Sequence, residues 1–497
     1  MDRFRKHKFQ LYRHLHAVSG QIYLEAEAAA VELGMTASER GAIGLTGAVS
    51  NIHALLTRRV SAAIDAGSRK VINNATLDER VREIVKDFYG DEWDAAVTNT
   101  CEAALWVTID TLFAPPIAGR GDSYRSRYLS PYERHLHHHG GYGRPFPPRY
   151  KDLFADRGTT AGELGFSGKR QNDLDVVFVR LPGASYDCHG IKYHPVPLLA
   201  KVDAGASAAA IGDAADRHAD SLVGFTSLGY DTPGYGYGEK TASGVPKLQQ
   251  LIGELSSRWE VPYLVDNAWG LPFIGADPRP IGADVMVFSM DKAAGAPTAG
   301  LIIGREETMV PLRRALGIHG DRWGTGASHG KASYVGNDPG KEALLGVVAA
   351  LETLSADGDV VKQTLDDLEA IVQEEFNELP NDLRDGWVLT KSANSGAIEL
   401  NYENTWAEGR SGFPIFSIED MYAGTNLLQS GMSRMGFVPT IAYDANIFIS
   451  PGLGTTDEEG RLLEDETRLA CRGLMRLIEI VGRHAGTLES NVSAMRR

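Results

Sequence analysis

Apolar positions recur at helical spacing through much of residues 1–75, as in EAEAAAVELGM and NIHALLTRRVSAAID, which predicts a mostly helical N-terminal segment. TLDERVREIVKDFYG, residues 76–90, reads as an amphipathic helix with Thr76 as its N-cap and Gly90 at its end. The short apolar run DAAVTNT follows, then a helix in CEAALWVTIDTLF. Residues 114–175 break the pattern. They are rich in Pro, Gly, Arg, Tyr and His and read as an irregular insertion.

Beyond residue 175 strand and helix patterns alternate. DVVFVRL, SLVGFTSLG, VPYLVDNAWG, ADVMVFSMDK and TAGLIIG read as strands. Helices are expected near PVPLLAKVDA and AIGDAADRHA and over VPKLQQLIGELSSRW. Such alternation implies an α/β fold with a mainly parallel sheet covered on both faces. GKEALLGVVAALE opens a stretch of long helices. GWVLT, SGAIELNY and NIFISPG then read as strands of a smaller α+β unit, closed by the helix EDETRLACRGLMRLIEIVGRH. The expected organisation is a helical segment over 1–75, a large domain over 76–335 carrying the insertion 114–175, and a helical linker with a small domain over 336–497.

Composition narrows the function classes. Net charge is −15, from 50 Lys and Arg against 65 Asp and Glu, which disfavours a nucleic-acid partner. The three cysteines, Cys101, Cys188 and Cys471, form no CxxC and no disulfide framework. The basic N-terminus lacks an apolar h-region and no stretch spans a membrane, so a cytoplasmic protein without a membrane partner is expected.

Three motifs carry the chemistry. VTNTCEAAL follows a strand and opens a helix, so the backbone N–H groups of Thr100, Cys101 and Glu102 are placed to cradle a phosphate. YLVDNAWG ends a buried strand at Asp266. VFSMDKAAGAPTAGLIIG places Lys292 just after a further strand, 26 residues beyond Asp266. Pyridoxal 5′-phosphate (PLP) needs such a set: an amine for a Schiff base, a carboxylate at the pyridine nitrogen and a phosphate cradle. These groups gather at the carboxyl ends of strands in open α/β sheets. A buried carboxylate is costly unless partnered, which favours this role for Asp266 over a plain turn cap.

The order phosphate loop, Asp-x-Ala, Ser-x-x-Lys, Gly-rich apolar strand resembles the fold-type I PLP enzymes, the aspartate aminotransferase superfamily. That resemblance implies a seven-stranded-type sheet between helices and a homodimer. It also implies PLP on Lys292, Asp266 at the ring nitrogen, Ala268 against the ring and Ser289 on the phosphate. GADVMVFSMDKAAGAPTAGLIIGREE is similar to selenocysteine synthase and the D-glucosaminate-6-phosphate ammonia-lyases. VPYLVDNAWG with SMDK also resembles the phosphoseryl-tRNA:selenocysteinyl-tRNA synthases. The implied activity is β-elimination or β-replacement on an amino-acid-like substrate through a Lys292 aldimine and a quinonoid carbanion. Aminotransferase, decarboxylase and aldolase chemistry are alternatives, and a non-catalytic binding protein of the same fold is a remote one.

The chain departs from that pattern at three points, one being Met-Asp in the lysine motif where the bacterial group has Gly-Gly. The usual Gly-rich phosphate loop is replaced by Thr-Asn-Thr-Cys-Glu, and NIFISPG holds no Arg for a substrate carboxylate. Arg434 is the nearby candidate. Ser227, at a strand end before GYDTPGYGYGEK, is a candidate cofactor-lining residue. His135, His137, His138 and His139 are consecutive enough to suggest a metal, but a flexible loop supplies no fixed geometry, so none is expected. Ring stacking or acid/base work by His138 or His139 fits the residue type better.

Overall fold

The computed structural model describes residues 3–46, 57–113, 127–131, 159–160, 175–179, 181, 203–231, 236–317, 337–356, 358–406, 427–443 and 446–494. Chain contacts divide these into two units, one of residues 3–46 with 359–494, the other of 57–181 with 203–358.

In the first unit, α1 (Arg3–Glu32) packs on a helix from the far end of the chain. The second unit begins with α2 (Arg58–Ser68) and α3 (Asn74–Tyr89). Helix α3 starts a turn earlier than Thr76. Asn73 is its cap, extended at φ −80° and ψ 132°, and its side chain accepts from the Ala75 N–H. Gly90 ends it with φ 108°, a conformation that favours glycine.

Then come β1 (Trp93–Thr98), α4 (Cys101–Leu112), β2 (Arg127–Ser130), β3 (Thr159–Thr160), β4 (Asp175–Phe178), α5 (Ala204–Arg217), β5 (Leu222–Leu228) and α6 (Lys247–Trp259). The unit closes with β6 (Tyr263–Asp266), α7 (Pro278–Ile281), β7 (Val285–Ser289), β8 (Gly300–Arg305), α8 (Glu306–Leu316) and α9 (Lys341–Ala356). The sheet order is β1-β8-β7-β6-β5-β2-β4-β3. Strands β7, β6, β5, β2 and β4 run parallel, whereas β8 is antiparallel to both neighbours. The row is seven strands plus the two-residue β3 at its edge, antiparallel to β4. Every residue of β1, β5, β6 and β7 is buried, as both-face coverage demands. Strand β2 lies inside the stretch whose composition reads as irregular, yet it takes a central place between β5 and β4.

Beneath β1 sits a buried ionic cluster. Asp94 is fully buried and meets Arg82 Nε at 2.6 Å and Arg313 Nη1 at 2.8 Å. Burial pulls the Arg313 guanidinium below its ordinary value, and the Asp94 charge opposes that.

The first unit continues with α10 (Gly358–Asn377), α11 (Asn381–Arg384), β9 (Val388–Ser392), β10 (Ala397–Asn401), α12 (Leu427–Met435), β11 (Ile441–Tyr443), β12 (Asn446–Ile449) and α13 (Glu464–Ala494). Its antiparallel sheet has the order β11-β12-β10-β9. Ile398 and Leu400 of β10 join Leu15, Ile22, Leu368, Met432, Leu474 and Ile478 in one apolar core. Among the described residues no helix is long and apolar enough to cross a membrane.

Candidate active site

The candidate residues of the second unit converge on the carboxyl edge of its parallel strands. Strands β6 and β7 are neighbours, so Asp266 at the end of one lies a strand spacing, about 5 Å, from the strand that delivers Lys292. Both side chains are buried, at 5% and 7% exposure. Asp266 Oδ1 accepts the Ala268 N–H at 3.2 Å, which turns the chain at the strand end. Ala268 in turn accepts the Ser289 N–H through its carbonyl at 3.3 Å, tying the Asp266 loop to the lysine loop.

Lys292 lies in a loop that holds its own shape. Met290 N–H donates to Ala299 and Ala296 N–H to Met290, each at 2.9 Å, and Gly295 N–H donates to Lys292 at 3.0 Å. Gly295 has φ 64°, which lets this tight turn form. Asp291 braces the loop from inside, accepting from Ser289 Oγ at 2.5 Å and from Thr298 Oγ1 at 3.4 Å. The Ser289 hydroxyl hydrogen is therefore directed at Asp291, leaving its lone pairs for any other partner.

Two strand steps away, Thr100 caps α4, its Oγ1 accepting from the Ala103 N–H at 3.0 Å. Cys101 and Glu102 form the first turn of that helix, where the dipole favours an anion. Thr98 Oγ1 donates to the Thr100 carbonyl at 2.8 Å and fixes the turn from β1 into the helix. At the start of β8, Gly300 is pressed against this turn, and a side chain there would strike the Thr100 carbonyl.

The remaining candidates are placed as follows. Ser227 is fully buried within the sheet, its hydroxyl 2.5 Å from that of Tyr263. Burial pushes the Tyr263 hydroxyl well above its ordinary value, so it stays protonated. Arg434 belongs to the first unit, on α12, where it pairs with Glu27 at 3.1 Å and lies over the Tyr23 ring. His138, His139 and Cys188 fall outside the described residues, as does the expected helix at PVPLLAKVDA except for Asp203, which caps α5, and Ala204, which opens it. Among the described residues no cluster of His, Cys, Asp and Glu could hold a metal ion.

Two aromatic residues complete the edge. Trp269 lies three residues past Asp266, and Lys292 Nζ sits 5.1 Å from its ring centroid. Tyr230 stacks on the indole at 5.4 Å with 17° between the planes. Trp269 stands within the quoted YLVDNAWG motif, but nothing in its spacing marks it as a neighbour of Lys292.

No family model matches the chain, and no curated protein matches it in sequence. Solved structures do match it. A SepCysS–SepCysE N-terminal domain complex is 12% identical, with 90% of this chain and 97% of that one covered and a TM-score of 0.52. The chain has the fold-type I architecture. The ureidoglycine–glyoxylate aminotransferase of Bacillus subtilis overlaps less well, at 11% identity, 90% and 93% coverage and a TM-score of 0.48. For D-glucosaminate-6-phosphate ammonia-lyase the values are 15%, 89% and 95%, and 0.41. At such identities the likeness concerns the fold, and the chemistry has to be argued from the site.

The donor set suits PLP. It offers a buried amine, a buried carboxylate on the adjacent strand, and a helix N-terminus two strands away. The Gly300–Thr100 approach brings the start of β8 against the turn that opens α4, with the Thr98 hydroxyl reaching the carbonyls of both residues.

Proposed function

We propose that this protein is a PLP-dependent enzyme acting on an amino acid or a close analogue. The observation that carries the reading is the burial of Lys292 and Asp266 on neighbouring strand ends, beside the first turn of α4. An isolated buried charge is costly, so a fold keeps two such groups at one edge for a use. Lys292 would hold the cofactor through Nζ, Asp266 would keep a proton on its ring nitrogen, and α4 with Thr100 would take its phosphate. Ala268 and Ser289 would line the same cavity. When bound, the cofactor supplies an electron sink for bonds at the substrate α-carbon. Nζ of Lys292 would take a proton from that carbon and return it. The finer reading is elimination or replacement of a β-substituent, supported by the SMDK and DNAWG motifs, in a homodimer.

The test is direct. The purified chain with PLP should show a visible absorbance band, and borohydride should fix a pyridoxyl group on Lys292 in a mass-spectrometric digest. A Lys292→Ala variant that still bound PLP with the same band would overturn the reading. Incubation with a panel of amino acids then separates the reactions. A keto acid with ammonia marks elimination, an aminated cofactor marks transamination, carbon dioxide marks decarboxylation, and a released aldehyde marks aldol cleavage.

A further inference from the structure

The aromatic pair beside Lys292 is unusually well anchored. Gln249 of α6 is fully buried, and its Nε2 donates to the carbonyls of Leu228 at 3.4 Å and Tyr230 at 2.6 Å. Gly229 N–H donates to the Asp266 carbonyl at 2.8 Å, which joins the exit of β5 to the exit of β6. The Asn267 side chain fills the space between Gly229 and Gly270, where a β-carbon would lie 2.1 Å and 2.2 Å from its amide atoms. Gly270 N–H closes the turn onto Asn267 at 2.8 Å. Trp269 is therefore held by its own turn and by the Tyr230 ring stacked on it, with Lys292 Nζ 5.1 Å from the indole centroid.

An ammonium within about 6 Å of an indole centroid is attracted by the negative face of the ring, more strongly when water is excluded. Here the separation is 5.1 Å and both residues are 7% exposed.

We propose that Trp269, backed by Tyr230, is a positioning residue that holds the released Lys292 amine as an ammonium. The inference rests on the role given to Lys292 above. Any reaction in which Nζ takes a proton from substrate leaves a cation in a buried site. The Trp269 face gives that cation a fixed place from which the proton can be returned. Other titratable groups stand on the elements that meet here. They are Asp266 at the end of β6, Asp291 in the lysine loop, Tyr230 and Asp231 after β5 with Lys240 paired to Asp231, and Cys101 and Glu102 on α4. Since these stay constant across substitutions at 269, a series at that position isolates the ring.

The experiment uses the full chain without cofactor. The pH dependence of Lys292 labelling by a small amine-selective acylating reagent is read by mass spectrometry of the Lys292 peptide. The labelling midpoint should fall by about one pH unit in Trp269→Leu, because a desolvated cation–π contact is of that size. Trp269→Phe should lie between Leu and the parent, following ring strength. A merely structural role would show in thermal stability but leave the midpoint in place. Should Trp269→Leu fail to fold, fluorinated tryptophan at 269 keeps the shape, weakens the face and should lower the midpoint. An unmoved midpoint in the folded variants would overturn the proposal. Labelling needs no cofactor, so failure to bind PLP would sink the functional reading and leave this result standing.

Discussion

A β-carbon placed on Gly300 would lie 2.3 Å from the carbonyl oxygen of Thr100. That contact is backbone against backbone, so no rotamer change relieves it. Gly300→Ala should push β8 away from the turn that opens α4. Overpacking of this kind typically costs about 1–3 kcal/mol. A lowered thermal midpoint with weakened PLP retention on gel filtration is the expected pair of outcomes. An unchanged midpoint would mean the turn yields freely.

The role proposed for Asp266 separates cofactor attachment from catalysis. In Asp266→Asn the side chain keeps its size and can still accept the Ala268 N–H. Lys292 should still be fixed by borohydride, while kcat falls on the order of 100-fold, as for loss of one well-placed electrostatic partner. Retained turnover would remove Asp266 from the site.

Around Asp94, burial decides which partner matters. Arg313 is almost fully buried, whereas the Arg82 side chain is 32% exposed. Asp94→Ala strands a buried guanidinium and should cost about 3–5 kcal/mol in denaturant unfolding. Arg82→Ala leaves the Asp94–Arg313 pair intact and should cost far less.

Asp284 gives a pH signature. Burial raises its carboxyl above the ordinary value, partly opposed by the Tyr263 N–H at 2.8 Å and by Arg305. The folded chain therefore holds this proton more tightly than the unfolded one. Its stabilising effect is full below the ordinary carboxyl value of 3.8 and is lost as pH rises through the raised folded value. Asp284→Asn removes that loss. Its thermal midpoint should gain on the parent as pH rises over that window and level off above it. A difference that is flat with pH would show that Asp284 titrates normally.

The places of the candidate site residues are legible in the sequence where strands deliver them. Lys292 and Asp266 are readable because each follows a run of fully buried strand residues. The small unit is readable too, since SGAIELNY and NIFISPG contain β10 and β12 and GWVLT overlaps the first part of β9. Strand β2 is not, because Arg-Tyr-Leu-Ser is too short to show a period and its place comes from pairing with β4 and β5. Thr76 and Asn73 are both good caps by type, and only the backbone decides between them. Trp269 and Gln249 were beyond sequence reasoning for a different reason. Their roles depend on contacts between the ends of different strands, and no local spacing encodes those.

The first unit is built from both ends of the chain, with Leu15 and Ile22 of α1 sharing a core with Leu474 and Ile478 of α13. During synthesis α1 is made well before its partner α13. At about 5–20 residues per second, its apolar stripe waits tens of seconds for a cover. The second unit needs no such delay, since its strands are contiguous once residue 358 has emerged. Translation thus orders the two units: the one that carries Lys292 can fold on the ribosome, and the α1 helix made before it stays uncovered until α13 has followed.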